Sequence, residues 1–95
     1  MGSFFMTRRA ARVDANQPEI VDAVRRVGGY WMPTWRQGDG VVDGFVWHHG
    51  IWFPVELKIK GGTFTSDEVR VHDECPATIY VIRSVDEMMQ LLGVQ

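Results

Sequence analysis

Ninety-five residues with 45% hydrophobic and 23% charged side chains suit one globular domain with a modest core, to which every element must contribute. No stretch approaches the ~18 apolar residues of a membrane-spanning helix, and MGSFFMTRRAAR has neither the apolar segment nor the cleavage site of a secretory leader. Cys75 is the one cysteine, which excludes an internal disulfide and fits a reducing cytoplasm. The net charge of −2 gives no direct signal for nucleic acid, but it is unevenly spread. Residues 1–38 carry Arg8, Arg9, Arg12, Arg25, Arg26 and Arg36 against Asp14, Glu19 and Asp22, a net of +3. Residues 61–95 carry Arg70 and Arg83 against six acids, a net of −4. One face that meets phosphates is compatible with that asymmetry, and so is an ordinary solvated surface.

With no repeat, low-complexity tract or linker, residues 12–95 are expected to form a single domain behind an N-terminal arm, 1–11. Residues 1–5 are set aside from the fold because Met6 can serve as the native start. In chain order, Asn16 is the expected N-cap of a first helix, with Glu19 three positions on as its capping-box partner. Ile20, Ala23, Val24 and Val27 recur at helical spacing until Gly28-Gly29 stops the run. Residues 30–35 are aromatic-rich and suit a strand, and Gln37-Gly38-Asp39-Gly40 suits a turn. Residues 41–47 read as a second strand, His48-His49-Gly50 as a hairpin turn, and 51–59 as a third strand. Thr65 with Glu68 forms a capping box opening a short helix that ends before Pro76. Residues 78–82 make a β-branched strand, and Ser84 caps a last helix carrying Met88, Leu91 and Leu92. The order αβββαβα implies an α+β or mixed-sheet α/β domain.

Strand periodicity decides which side chains can act together. On the third strand Ile51, Phe53, Val55, Leu57 and Ile59 share an apolar face, whereas Glu56 and Lys58 lie side by side on the other. On the second strand Asp43 shares a face with Phe45 and Trp47, and a short hairpin can bring it close to Glu56 and Lys58. Charges inside such apolar strands are costly unless paired or metal-bound. Two carboxylates with backbone carbonyls make a hard oxygen site suited to Mg²⁺ or Mn²⁺, and a neighbouring ammonium can stabilise charge growing on a phosphoryl group. The plainer reading is a cross-strand salt bridge between Lys58 and Asp43 or Glu56.

Asp43, twelve intervening residues and then Glu56-Leu57-Lys58 resemble the D…ExK core of the PD-(D/E)XK nuclease superfamily. The series Asp14-x-Asn16-Gln17-x-Glu19-Ile20, the double glycine, Gly-x-Gly before Asp43, Thr65-x-x-Glu68 and Val81-Ile82-Arg83-Ser84-x-x-Glu87 resembles, in order and over residues 12–93, the virus-type replication–repair nuclease (VRR-NUC) family. The resemblance implies a restriction-endonuclease-like αβββαβ core, a mixed four-stranded sheet flanked by helices. It also implies metal-dependent hydrolysis of phosphodiester bonds in DNA. Asp43, Glu56 and the carbonyl of Leu57 would bind Mg²⁺ or Mn²⁺, Glu19 would complete the site directly or through water, and Lys58 would orient the attacking water. Small stand-alone members belong to phages, act in the bacterial cytoplasm and cut branched DNA such as Holliday junctions as homodimers. Val42 stands where the family usually has proline, a position without chemistry. Pro54 falls inside the third strand, where only a bulge or an amide directed away from its neighbour can accommodate it.

Several other residues admit two readings. His48 and His49 suggest a histidine-based ββα-metal nuclease, but that motif needs a helix directly after the hairpin and a strand follows. His72 can lie near the site or on the surface, and Asp39 is better suited to turn formation than to metal binding. Trp31, Trp35, Trp47 and Trp52 can stack on bases or fill the core and a dimer interface. Arg8, Arg9, Arg12, Arg36 and Lys60 are the candidate DNA contacts. The alternative to an endonuclease is a non-catalytic DNA-binding or assembly module that keeps the nuclease fold.

Overall fold

The computed structural model describes residues 16–34 and 41–94. The expected order is found: α1 (Gln17–Arg26), β1 (Tyr30–Pro33), β2 (Gly44–His48), β3 (Ile51–Leu57), α2 (Ser66–Glu74), β4 (Tyr80–Ile82) and α3 (Val85–Leu92). The four strands form one sheet in the order β1-β2-β3-β4. The first three make an antiparallel meander, and β4 joins β3 in parallel after the α2 crossover, so the sheet is mixed and the domain α+β. The expected turn at Gln37-Gly38-Asp39-Gly40 lies outside the described residues, as do Trp35 and Arg36.

One face of the sheet carries the core. Ile20, Val21 and Val24 from α1 meet Trp31, Val46, Val55, Leu57 and Ile82 from the strands and Met88 and Leu92 from α3. The helical spacing of the apolar residues in α1 leaves Asp22, Arg25 and Arg26 exposed. Burying a side chain such as Leu57, only 1% exposed, is worth about 1.5–3 kcal/mol. The apolar face expected along the third strand is shorter than its sequence pattern. Val55 and Leu57 are buried and Phe53 packs against the core, but Ile51 and Ile59 are exposed. Ile51 adjoins the hairpin turn and Ile59 lies beyond the strand, so neither is placed over the core.

The turn itself is His49-Gly50, at φ of 48° and 85°, with His48 still in the strand and paired with Ile51. Positive φ at both turn residues matches the right-handed twist of the strands on either side. A two-residue turn makes His48–Ile51 the closing hydrogen-bonded pair, and alternation then puts Phe45–Pro54 at a pair without ladder hydrogen bonds. The ring nitrogen of Pro54 therefore faces the β4 side, where pairing starts only at Val55–Tyr80. The proline costs no rung, and no bulge is needed.

The first helix departs from expectation at its start. Asn16 has α-helical torsions and makes no side-chain cap, so Asn16 and Glu19 do not form the capping box that their spacing suggests. The Asn16 amide nitrogen instead donates to the carbonyls of Lys58, at 3.1 Å, and Arg83, at 2.9 Å. The other two caps are as expected: Thr65 and Glu68 form a reciprocal box at α2, and the Ser84 hydroxyl accepts from the Glu87 amide at α3. Trp31 is a core residue, whereas Trp47 is half-buried and Trp52 exposed, its ring edge-on to Tyr30 at 6.4 Å. Among the described residues no helix is long and apolar enough to cross a membrane.

Gly44 is where β1 and β2 approach most closely. A Cβ there would lie 2.6 Å from the carbonyl oxygen of Met32 and 2.6 Å from the indole of Trp31. Backbone and a core ring cannot both yield, so Gly44→Ala should destabilise the domain by about 1–3 kcal/mol. Urea unfolding should show a lower midpoint at an unchanged slope; an unchanged midpoint would mean that the strands separate here without cost.

Candidate active site

The hairpin that ends in β2 and β3 opens, at its far end, onto a cluster of charged side chains. Alternation directs the amide of Leu57 toward β2, where the ladder would continue to Val42. The carboxylate of Asp43 takes that amide instead, its Oδ2 accepting from Leu57 N at 2.7 Å. On the opposite edge Thr34 holds the same segment, donating its amide to the Asp43 carbonyl at 3.0 Å and its hydroxyl to that of Val42 at 2.6 Å. Beyond the strand end, Lys58 N donates to the Ile82 carbonyl at 3.0 Å. Asp43 is thus fixed beside the Glu56-Leu57-Lys58 segment, by its carboxylate on the β3 side and by its backbone carbonyl on the β1 side.

Leu57 points into the core, so its neighbours Glu56 and Lys58 emerge on the other face of the sheet. Glu56 is nonetheless 1% exposed, and its Oε1 is buried with no hydrogen-bond partner. The Lys58 ammonium lies 3.9 Å from Glu56 Oε2 and 2.9 Å from Glu68 Oε1, with the Phe64 ring 5.3 Å away. Burial pushes the Glu56 carboxyl up to about 9, helped by the nearby charge of Asp43 and by Glu68, against the opposing pull of Lys58. Burial also acts to raise the Glu68 carboxyl, but bonds from Lys58, the Thr65 backbone and Glu56 outweigh it and hold Glu68 below its ordinary value. Among these groups Glu56 is the acid that a single ammonium does not compensate.

The structure therefore brings together three of the four expected catalytic residues, Asp43, Glu56 and Lys58. Glu19 is on the exposed first turn of α1. Among the described residues no three His, Cys, Asp or Glu side chains are placed to hold a metal ion, so Glu19 does not complete such a set with Asp43 and Glu56. Lys60 is exposed in the turn after β3, and Arg8, Arg9 and Arg12 lie, with Arg36, outside the described residues.

Glu68 has no place among the site residues expected from the sequence, where Thr65-x-x-Glu68 is read as a helix cap and as part of the family resemblance without a role in the site. One signal could have found it: a capping acid needs no lysine, yet α2 follows within ten residues of Lys58. His72, one turn further along α2, has a buried and unpartnered Nε2 and packs on Phe64 at 5.0 Å, so it faces inward rather than lying on the surface. His48 is a core residue hydrogen-bonded to the Val27 carbonyl at 3.1 Å and stacked on His49, a structural arrangement away from Glu56 and Lys58.

Asp43 and Glu56 are the oxygen donors that a hard divalent cation would take here, and among the described residues no group of three His, Cys, Asp or Glu side chains is placed to hold one. The unpartnered, buried carboxyl oxygen of Glu56 lies in a neighbourhood shared with the carboxylate of Asp43. Compared with known proteins, the chain matches no family model, no curated protein and no solved structure.

The raised Glu56 carboxyl has a consequence for stability. Between its unfolded value of 4.5 and about 9 the folded state holds a proton that the unfolded state has lost. Stability contributed by this group is therefore complete below 4.5 and falls as pH rises toward 9. In EDTA, the melting temperature of the wild type should drop over that interval, and Glu56→Gln should flatten the drop. Parallel pH profiles for the two proteins would show that Glu56 ionises normally in the fold.

Proposed function

We propose that this chain is a Mg²⁺- or Mn²⁺-dependent deoxyribonuclease of the PD-(D/E)XK type, as its resemblance to the VRR-NUC family implies. The observation that supports it is the buried Glu56 carboxyl, with an orphaned oxygen, set between Asp43 and the Lys58 ammonium. The ion pair to Lys58 does not account for that oxygen, since buried polar atoms are seldom left without a partner. Asp43, Glu56 and the Leu57 carbonyl would hold the cation, and Glu19 would reach it through water. Once bound, the cation supplies Lewis acidity to the scissile phosphoryl group and acidifies water.

The chain's own residues have separate tasks. Asp43 and Glu56 provide negative charge that would repel phosphate unless neutralised, so they serve the cation rather than DNA binding. The Lys58 ammonium, held above the same sheet face, orients the attacking water and stabilises negative charge as it grows on the phosphoryl oxygens. Lys60, with Arg8, Arg9, Arg12 and Arg36, would contact the DNA backbone. The working unit would be a homodimer in the cytoplasm of a bacterial host, since resolving a four-way junction takes two matched cuts and one chain supplies one site.

Purified protein should cleave DNA only with Mg²⁺ or Mn²⁺ present. Asp43→Asn and Glu56→Gln should abolish cleavage while preserving DNA binding, and Lys58→Ala should lower turnover far more than metal affinity. Arginine at position 58 should rescue poorly, because a planar fork does not replace a compact ammonium. Wild-type cleavage by Asp43→Asn would remove that residue from the mechanism.

The dimer and its substrate have their own test. Light scattering should report two chains per particle, and single-turnover cleavage should be faster on four-way DNA than on flapped or linear duplex. Both binding and cleavage should weaken steeply with salt as phosphate contacts are screened. A monomer that cuts linear duplex as fast as junction would defeat the assembly proposal and leave the nuclease proposal standing.

A further inference from the structure

Lys58 follows the last residue of β3, and nothing in the strand itself determines where its four-carbon stem points. The side chain is nevertheless only 14% exposed and its ammonium is enclosed. Glu68 Oε1 lies 2.9 Å from Nζ on one side, Glu56 Oε2 3.9 Å away on another, and the Phe64 ring 5.3 Å from it. The shortest of these contacts comes from α2, not from the strand that carries the lysine. We infer that Glu68 is a positioning residue whose carboxylate fixes the Lys58 ammonium at the site, resting on the reading of Lys58 as the group that acts on the phosphoryl oxygens.

The local geometry makes the contact rigid. Glu68 Oε1 accepts from the Thr65 amide at 2.9 Å as well as from Lys58, and the Glu68 amide donates back to the Thr65 hydroxyl at 3.1 Å. A carboxylate held at a helix start by two reciprocal bonds keeps few rotamers, so the entropy of ordering the long lysine side chain is met by a partner already ordered. Helix capping alone would be served equally by glutamine; the negative charge at position 68 is explained by the ammonium it faces. That charge also separates the two acids near Lys58. Glu56 is buried beside Asp43, and Glu68, 15% exposed at its side chain, carries the closer ion pair.

The test uses the full-length chain and three substitutions. Glu68→Ala removes both the cap and the ion pair; Glu68→Gln keeps a cap acceptor without the charge; Thr65→Ala weakens the cap and leaves the ion pair. Nitrogen-15 spectra of metal-free protein should show a slowly exchanging Lys58 ammonium in the wild type and in Thr65→Ala. That signal should be lost in Glu68→Ala and weakened in Glu68→Gln, which should fold as the wild type does. With Mg²⁺ and four-way DNA, Glu68→Ala should slow single-turnover cleavage by about 100-fold, the lower end of the cost of losing a positioned charge-stabilising donor, with DNA affinity little changed. The double variant Lys58→Ala/Glu68→Ala should cleave no more slowly than Lys58→Ala alone. Persistence of the ammonium signal in both Glu68 variants, or a fully additive double variant, would overturn the inference. If the wild type cleaves no DNA with either metal the nuclease reading fails, and the ammonium signal still decides whether Glu68 holds Lys58.

Discussion

The bond from the Leu57 amide to the Asp43 carboxylate, 2.7 Å long, ends the β2–β3 ladder and begins the site. A sheet that continued here would bond Leu57 to a backbone carbonyl of β2 instead. Substituting a side-chain acceptor satisfies the amide, as a buried donor requires, while drawing a carboxylate to the sheet face that bears Glu56. The core depends on the same arrangement: Val55 and Leu57 can be buried on one face only if the residues between and after them, Glu56 and Lys58, project from the other. One alternation therefore supplies both the apolar core and the charged cluster.

Such a cluster is expensive without a counter-charge. Asp43, Glu56 and Glu68 are acids, and the Lys58 ammonium that lies among them is closest to Glu68. Glu56 responds by holding its proton far above the usual carboxylate range. A protonated acid in that place satisfies the desolvation term but leaves an oxygen unbonded.

Much of this was legible in the sequence, for identifiable reasons. Period-two alternation put Glu56 and Lys58 on one face and Val55 and Leu57 on the other, and the structure keeps that division. The two-residue hairpin fixed the register that brings Asp43 to them, and also resolved Pro54, whose nitrogen falls at a pair without ladder bonds. Element boundaries were less legible. The second strand starts at Gly44 and not at position 41, because the Asp43 side chain takes the rung that would have extended it. The fourth begins at Tyr80, opposite Val55, since Pro54 before it faces β4 without an amide hydrogen to donate. Ile51 and Ile59 fit the apolar pattern yet stay exposed, because alternation says which face a residue takes and not whether a helix covers it.

The two helix starts nearest the site show where local rules give out. Asn16 and Thr65 carry similar sequence signals, a capping residue with Glu three positions on. Thr65 obeys them, and its partner Glu68 caps the helix while reaching Lys58. Asn16 does not: its amide joins the ends of β3 and β4 by holding the carbonyls of Lys58 and Arg83, forgoing a cap worth about 1 kcal/mol. No propensity could have separated the two cases, because what differs is a partner more than forty residues away in sequence. The Lys58 carbonyl and the Lys58 ammonium are thus held by different helices, the first by the start of α1 and the second by the start of α2. A residue tied at both its backbone and its side chain by long-range contacts has little freedom to wander, and the role proposed for Lys58 would require that restraint.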